Sequence, residues 1–264
     1  MSPPHSVGEE VDQLVSDLFS QLLSTPNVES DAFLHRVYAD GLGKYADRLS
    51  QYGLSGCSRV LDAGCGYGQW SLALAADCDR VDAVDVDANR LAFVEAMAVG
   101  LQLNAVEVTK CPVWDLPFDD RSFDGVFCYG VLFLTPWRET VAEFARVLDD
   151  GGLLYVNANG LGWYHHLWRT GYNQTEGYDP RETAATVLQN TLAHDRGEFE
   201  PSGGQLLIEP DDLRSELVAC GFEIIAEGPE GTTSLPSRET RGAPFFEGSY
   251  EGALGVYEIL ARRR

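Results

Sequence analysis

Arg59-Val60-Leu61-Asp62-Ala63-Gly64-Cys65-Gly66-Tyr67-Gly68 is the stretch that decides the fold of this chain. A short apolar run ends in an acid, three glycines follow at every second position, and the residues from Gln69 onward read as the start of a helix. Strand, tight turn and helix in this order open a doubly wound α/β domain. Glycines let a ligand approach the main chain closely, and the helix behind them points unpaired N–H groups at the turn. The stretch therefore predicts a ligand site at the end of the first strand.

The spacing of the glycines indicates which ligand this turn binds. A dinucleotide fingerprint, G-x-G-x-x-G, requires a third glycine where this chain has Gln69. With Asp62 two residues before Gly64, the stretch instead resembles motif I of the class I (Rossmann-like) S-adenosylmethionine-dependent methyltransferases, in particular their small-molecule, type 11-like branch.

Three further segments are similar to this family, in the expected order. The second strand ends in Asp85, with Asp87 as a nearby competitor; a carboxylate there can accept two O–H hydrogen bonds, and the matching acid of the family holds the cofactor ribose. Residues 114–127 resemble a D-x-P-F turn followed by F-D-x-V, in which Asp115 matches the residue that accepts from the adenine amino group. Residues 145–155 resemble a helix, a Gly-Gly turn and the fifth strand. The resemblance covers residues 57–158 closely and 210–262 loosely.

The resemblance implies that the cofactor is S-adenosyl-L-methionine and that its contacts come from several strand ends. The cofactor-binding residues predicted in this way are Asp62, Ala63, Gly64, Cys65, Gly66, Gly68, Asp85, Val86, Trp114, Asp115, Leu116 and Tyr129.

The fold class predicted from the alternation of strands and helices is α/β, with a mainly parallel sheet between helices. The resemblance implies seven strands, of which the last is antiparallel. Strands are expected at 59–63, 80–86, 105–109, 123–129, 152–157, 222–227 and 253–260, and helices at 69–76, 88–100 and 138–148.

The remaining segments are predicted to surround this domain. Residues 1–55 are expected to form an N-terminal helical cap, in which Tyr38 and Tyr45 either reach the cofactor or pack on the sheet, and residues 56–262 form the S-adenosylmethionine-binding domain. Within it, the aromatic, helical insertion 159–205 either forms the acceptor pocket or caps the sheet. The long linker 228–252 is of a length that is usually functional or mobile.

Methyl transfer to a hydroxyl group is helped by a general base near neutral pKa, and histidine fits best. His165 and His166 are the candidates, and His194 is a third. Adjacent helical residues point about 100° apart, so at most one of the pair faces a pocket, and both can equally be surface histidines. Tyr129 and Tyr164 are candidates for orienting an acceptor. We predict no metal site.

The charge balance restricts the partners. The 264 residues include 41 acidic and 19 basic side chains, a net charge of −22, which argues against DNA, RNA or an anionic membrane. The six cysteines contain no Cys-x-x-Cys pair, which suits free thiols in a reducing compartment. No membrane-spanning or signal pattern is found. We therefore predict a cytoplasmic protein acting on a small molecule, and leave its oligomeric state open.

The function predicted is methyl transfer from S-adenosylmethionine to an oxygen or nitrogen of a small or carrier-linked metabolite, such as a sugar or glycan precursor. Two alternatives stay open. An NAD(P)-dependent oxidoreductase would share the α/β domain, although Asp62 and Gln69 argue against it. A non-catalytic, regulatory S-adenosylmethionine-binding domain would share the glycine turn.

Overall fold

The computed structural model describes residues 5–22, 28–198, 204–239 and 242–264. Residues 199–203 of the predicted insertion and 240–241 of the predicted linker thus lie outside the described residues, as do residues 1–4 and 23–27 of the predicted cap. The helices in the described ranges are α1 (His5–Leu22), α2 (Val28–Tyr38), α3 (Gly43–Tyr52), α4 (Gln69–Ala75), α5 (Ala88–Gly100), α6 (Trp137–Val147), α7 (Leu161–Thr170), α8 (Pro180–Asp195) and α9 (Pro210–Ala219). The strands are β1 (Val60–Ala63), β2 (Val81–Asp85), β3 (Val106–Lys110), β4 (Phe123–Cys128), β5 (Leu148–Asn159), β6 (Phe222–Pro229), β7 (Ser249–Tyr250), β8 (Ala253–Leu254) and β9 (Val256–Arg263).

Seven of these strands form one sheet, in the order β3-β2-β1-β4-β5-β9-β6. Strands β1 to β5 run parallel, and β9 is antiparallel to both β5 and β6. The predicted fold class is confirmed. In this strand order the chain changes direction across the sheet between β1 and β4, and the ends of these two strands form the crevice where doubly wound sheets bind ligands.

Both faces of the sheet are covered by helices. Since successive residues of a strand point to opposite faces, neighbouring residues pack against different helices. On one face, Phe127 and Tyr155 pack in an apolar cluster that also contains buried residues of α1 to α5. On the other, Val126 and Leu154 pack with buried residues of α6 and α9. The N-terminal helices α1 to α3 therefore lie on the same face of the sheet as α4, the helix that follows the glycine turn.

The last predicted strand divides into two elements. Residues 253 and 254 pair with β7 in a separate two-stranded hairpin, and β9 begins only at Val256. Gly255, between them, directs its N–H to Gly248 and its carbonyl to the N–H of Gly160. The backbone of Ala253 comes so close to Gly162 in α7 that an added Cβ would stand 2.3 Å from the Ala253 carbonyl oxygen. The hairpin thus anchors the start of the insertion.

The insertion contains its own small apolar cluster. Tyr164 and Leu167 of α7 pack against Ala184 and Val187 of α8, and all four side chains are buried. Asp179 caps α8 by accepting a hydrogen bond from the Arg181 N–H, at 2.9 Å. In the described parts of the chain, no helix combines the length and apolarity that crossing a membrane requires.

Candidate functional site

The glycine turn between β1 and α4 opens a cavity at the carboxyl end of the sheet. Gly64, Gly66 and Gly68 have φ of +80°, +55° and +84°, the left-handed region that favours glycine. A Cβ at Gly66 would meet no atom within 4 Å, so its main chain borders open space. The cavity has a volume of about 550 Å³. Its lining comprises Phe33, Arg36, Gly64, Cys65, Gly66, Tyr67, Gln69, Trp70, Asp85, Arg90, Tyr129, Gly130, Val131 and Leu134.

Asp85 lies in this cavity with its carboxylate fixed by the main chain. One oxygen accepts from the Gly66 N–H at 3.0 Å and the other from the Asp87 N–H at 2.9 Å. Each oxygen retains a lone pair for a ligand hydroxyl. Asp87, the competitor, instead caps α5 by accepting from the Asn89 and Arg90 N–H groups. The arrangement suits Asp85 for a diol and occupies Asp87 with helix capping.

Asp62 lies behind the turn, outside the lining of the cavity. Its carboxylate is 2% exposed and accepts a hydrogen bond from the Ser71 hydroxyl of α4 at 2.5 Å. Burial raises the pKa of Asp62 to about 7, the Asp85 charge adds to the rise, and hydrogen bonds from Ser71 oppose it. Asp62 therefore joins β1 to α4 and supports the turn from below.

The other residues predicted at the cofactor divide into two groups. Gly64, Cys65, Gly66 and Tyr129 line the cavity. The rest do not: Ala63 and Leu116 are buried, Gly68 caps α4, and Val86, Trp114 and Asp115 are exposed. The Leu116 N–H donates to the Glu143 carboxylate at 3.0 Å, which fixes this turn to α6. Contacts of residues 114–116 with adenine stay a prediction.

A second cavity, of about 400 Å³, adjoins the first and has largely aromatic walls. It is called the acceptor cavity below, and the first is called the cofactor cavity, after the functions that we propose for them. Its lining comprises Phe33, Arg36, Val37, Lys44, Tyr45, Gln69, Trp70, Tyr129, Trp163, Tyr172, Asn173, Phe245 and Phe246. Trp70 is central, with its ring centroid 4.8 Å from that of Tyr45 and 5.0 Å from that of Tyr129.

The wall between the two cavities carries polar groups without partners. Trp70 is 3% exposed, and neither its indole N–H nor the side-chain oxygen of Gln69 has a hydrogen-bond partner. A buried polar group without a partner costs free energy, and native proteins rarely leave one. Both residues line both cavities, although these two atoms are themselves buried.

A buried charge network holds the far wall of the acceptor cavity. Arg48 of α3 lies 2.7 Å from a Glu230 carboxylate oxygen and 3.2 Å from a Glu258 oxygen, and all three side chains are 0% exposed. The other oxygen of Glu230 accepts from the Phe245 N–H at 2.8 Å. The Tyr129 hydroxyl donates to Glu230 at 3.3 Å. One carboxylate thus fixes both Phe245 and Tyr129.

Tyr129 is suited to orienting a ligand and poorly suited to removing a proton. Burial of its hydroxyl, with the neighbouring Glu230 carboxylate, raises the pKa of Tyr129 well above the usual 10.0, although Arg48 opposes this. The phenol therefore stays protonated at neutral pH. Its oxygen can still accept one hydrogen bond while its proton is given to Glu230.

The histidines predicted as general bases lie elsewhere. His165 and His166 line a third cavity, of about 370 Å³, beside Glu247 and Glu251. The His166 ring stacks on Tyr250, with centroids 4.2 Å apart. His194 lines a cavity beside α9, and Tyr164 is buried between α7 and α8. The structure brings none of these residues to the acceptor cavity, and their catalytic roles stay predictions.

Several lining residues were not predicted from the sequence. Among them are Phe33, Arg36 and Val37 of α2. Tyr45 reaches the acceptor cavity, whereas Tyr38 is buried and donates to the Tyr67 carbonyl at 2.7 Å. Among the described residues, no group of three or more His, Cys, Asp or Glu is placed to hold a metal ion.

Comparison with known proteins identifies the class. Residues 61–156 match the sequence model of the family described as "Methyltransferase domain". A Geobacillus sp. protein, named only as a candidate methyltransferase, is 28% identical over 218 residues, which cover 75% of this chain and 87% of that protein. A demethylmenaquinone methyltransferase of Oceanobacillus iheyensis is 25% identical over 156 residues, covering 58% of this chain and 63% of that protein.

Solved structures show the same fold at low identity. A geranyl diphosphate C-methyltransferase from Streptomyces coelicolor, in complex with S-adenosyl-L-homocysteine, gives a TM-score of 0.60 at 17% identity, covering 88% of this chain and 79% of that one. The cyclase SpnF gives a TM-score of 0.58 at 19% identity, covering 97% and 94%. Because this fold also carries a cyclase, the fold alone does not define the reaction.

The glycine turn, the sheet order and the sequence match together define a class I S-adenosylmethionine-dependent methyltransferase fold. Residues 61–156 match the methyltransferase domain family, so the resemblance read from the sequence is confirmed.

Proposed function

We propose that this protein binds S-adenosylmethionine in the cofactor cavity and methylates a small molecule held in the acceptor cavity. The observation that carries the proposal is the wall shared by the two cavities, formed by Phe33, Arg36, Gln69, Trp70 and Tyr129. When bound, S-adenosylmethionine supplies an electrophilic methyl group on a sulfonium. Direct displacement requires donor and acceptor atoms to approach within about 3.5 Å, which adjoining cavities allow.

The residues of the cofactor cavity fit this group. The bare main chain at Gly66 leaves room for close approach of a ligand, and the Asp85 oxygens can accept hydrogen bonds from a ribose diol. Gly66 and Asp85 are the cofactor contacts that we propose.

The walls of the acceptor cavity favour a flat, aromatic acceptor. Aromatic rings from the cap, the insertion and the linker face it, and polar groups are few. Relatives named as demethylmenaquinone methyltransferases support an aromatic ring system. We therefore favour an aromatic metabolite over the sugar or glycan precursor suggested by sequence. The Tyr129 oxygen can accept a hydrogen bond from a reacting hydroxyl or amine.

The acceptor cavity positions its ligand without a general base. No histidine, aspartate or glutamate is among its described lining residues, and Tyr129 stays protonated. The chain therefore suits an acceptor that loses its proton readily, such as an acidic aromatic hydroxyl, or an amine with a free lone pair.

Calorimetric titration of the purified protein with S-adenosylmethionine, S-adenosylhomocysteine and NADH tests the cofactor assignment. We expect the first two to bind and NADH not to bind. Binding of NADH alone would overturn the proposal in favour of an oxidoreductase. Binding of S-adenosylmethionine without turnover on any aromatic hydroxyl or amine would favour the regulatory alternative.

A further inference from the structure

The acceptor cavity differs in charge from the rest of the molecule. The chain has 41 acidic and 19 basic residues, yet the described lining of this cavity contains Arg36 and Lys44 and no acidic residue. A cavity that concentrates positive charge in an acidic protein selects its ligand by charge, because a cation would meet two like charges there.

Lys44 is one of only two lysines in the chain, and its charge is weakly compensated. Its side chain is 25% exposed, and its Nζ lies 3.2 Å from the Asp40 carboxylate, which is 81% exposed. Ion pairs with so exposed a partner contribute little, since water solvates the carboxylate equally well. The ammonium group therefore remains able to bind a ligand anion.

Arg36 offers a second charge on the same cavity. It lies one helical turn after Phe33 in α2, and both residues line the cavity. Within the part of the chain that the structure describes, no carboxylate lies within salt-bridge distance of Arg36. Its side chain is exposed, whereas Trp70, which also lines the cavity, is buried. The cavity thus has an exposed cationic edge and an aromatic interior.

We propose that the methyl acceptor is an aromatic molecule carrying an oxyanion, a carboxylate or a phosphate, that binds on Lys44 and Arg36. Its ring lies among Tyr45, Trp70 and Phe245, and the reacting atom points to the shared wall. This inference rests on the proposed function, because it assigns the substrate class of the same site.

Four probes of one shape test the charge selection. Calorimetry in saturating S-adenosylhomocysteine compares 2-naphthoate, 2-naphthyl phosphate, neutral 2-naphthamide and cationic 2-naphthylmethylamine. We expect the anions to bind about tenfold tighter than the amide, and the cation weakest. Which anion binds tighter distinguishes a carboxylate from a phosphate acceptor. Equal or tighter binding of the amide or the amine overturns the proposal.

The two lysines provide a matched pair of variants. Lys44→Gln should abolish most of the preference for naphthoate over naphthamide, whereas Lys110→Gln, at an exposed position at the end of β3, should retain it. Acetylation of the wild type, followed by mass spectrometry, gives a second readout. Naphthoate should protect Lys44 and leave Lys110 reactive; equal protection of both, or of neither, contradicts binding at Lys44.

The design separates the two proposals. Lys44 lines only the acceptor cavity, so Lys44→Gln should bind S-adenosylhomocysteine as the wild type does. If the wild type binds no S-adenosylhomocysteine, the proposed function fails. If it binds S-adenosylhomocysteine but does not discriminate naphthoate from naphthamide, the charge assignment alone fails.

Discussion

The cofactor cavity and the acceptor cavity share a wall but are built in different ways. The cofactor cavity takes most of its lining from the glycine turn and from residues near the ends of β2 and β4. The acceptor cavity combines α2, α3, the insertion and the linker, which are separated by up to 213 positions between Phe33 and Phe246. The first depends on local chain geometry, and the second on tertiary contacts such as the Arg48 network.

Loss of Arg48 should have the largest effect, because the acceptor side depends on it. Arg48→Ala leaves Glu230 and Glu258 buried without their cation, and removing one partner of a buried pair costs about 3–5 kcal/mol. Urea unfolding measures the loss. Arg138→Ala, which breaks an exposed pair with Glu216, is the control and should cost less than about 1 kcal/mol. Similar costs for both would show that the network does not hold the acceptor side.

The stability of the cofactor side depends on pH through Asp62. Its pKa of about 7 in the folded chain exceeds the usual 3.8, so the folded state binds this proton more tightly than the unfolded state. The stability contributed by the bound proton is present below pH 4 and is lost as the pH rises through 7.

Asp62→Asn removes this dependence. The free energy of unfolding of Asp62→Asn minus that of the wild type should rise by about 2–4 kcal/mol between pH 4 and pH 8. Urea unfolding at each pH measures this difference. Ser71→Ala removes the hydroxyl that stabilises the carboxylate. This variant should therefore lose stability at a higher pH than the wild type does. A difference between Asp62→Asn and wild type that is flat with pH would contradict the raised pKa.

Substitution of Asp85 tests whether its carboxylate binds S-adenosylmethionine. Asp85→Ala should weaken S-adenosylmethionine by about 10- to 100-fold, since hydrogen bonds to a charged group are lost. Asp87→Ala is the matched control: it should lower stability by about 1 kcal/mol through the lost helix cap and leave the affinity unchanged. Calorimetry separates them, and unchanged affinity in Asp85→Ala removes Asp85 from the site.

The smallest effect is expected at His165 and His166, which lie outside both cavities. Single His165→Gln and His166→Gln variants should retain turnover within about twofold, because a base must lie within hydrogen-bond reach of its proton. A fall of 100-fold or more in turnover, with unchanged S-adenosylmethionine affinity, would reinstate the histidines as catalytic and would extend the acceptor site into the third cavity.

The sequence predicted those features of the molecule that are determined by residues close together in the chain. The glycines of the turn and the acid ending β2 act within a few residues, and the structure places Gly66 and Asp85 together. The mainly parallel sheet followed from the alternation of strands and helices, and its seven strands were implied by the family resemblance. The division at Gly255 was missed because it depends on hydrogen bonds to Gly248 and Gly160, which are distant or belong to another element.

The acceptor side could be predicted only in outline. The aromatic composition of the insertion indicated a pocket, and Trp163 and Tyr172 do line it, although the adjacent histidines do not. Phe245 carried no signal, since its place is set by Glu230. A helical periodicity identifies an apolar face but not which cation at its edge lies beside a cavity, and Arg36 was therefore missed.

The wall between the two cavities also has a consequence for the order of binding. Trp70 and Gln69 line both cavities, and each has one buried polar atom without a partner. A ligand that fixes these side chains from one side prepares them for the other, and such coupling is reciprocal. Under the proposed function, we therefore expect the cofactor to raise the affinity for the acceptor by the same factor by which the acceptor raises the affinity for the cofactor. The demethylated cofactor is then expected to retain the acceptor as well, which would make it a product inhibitor.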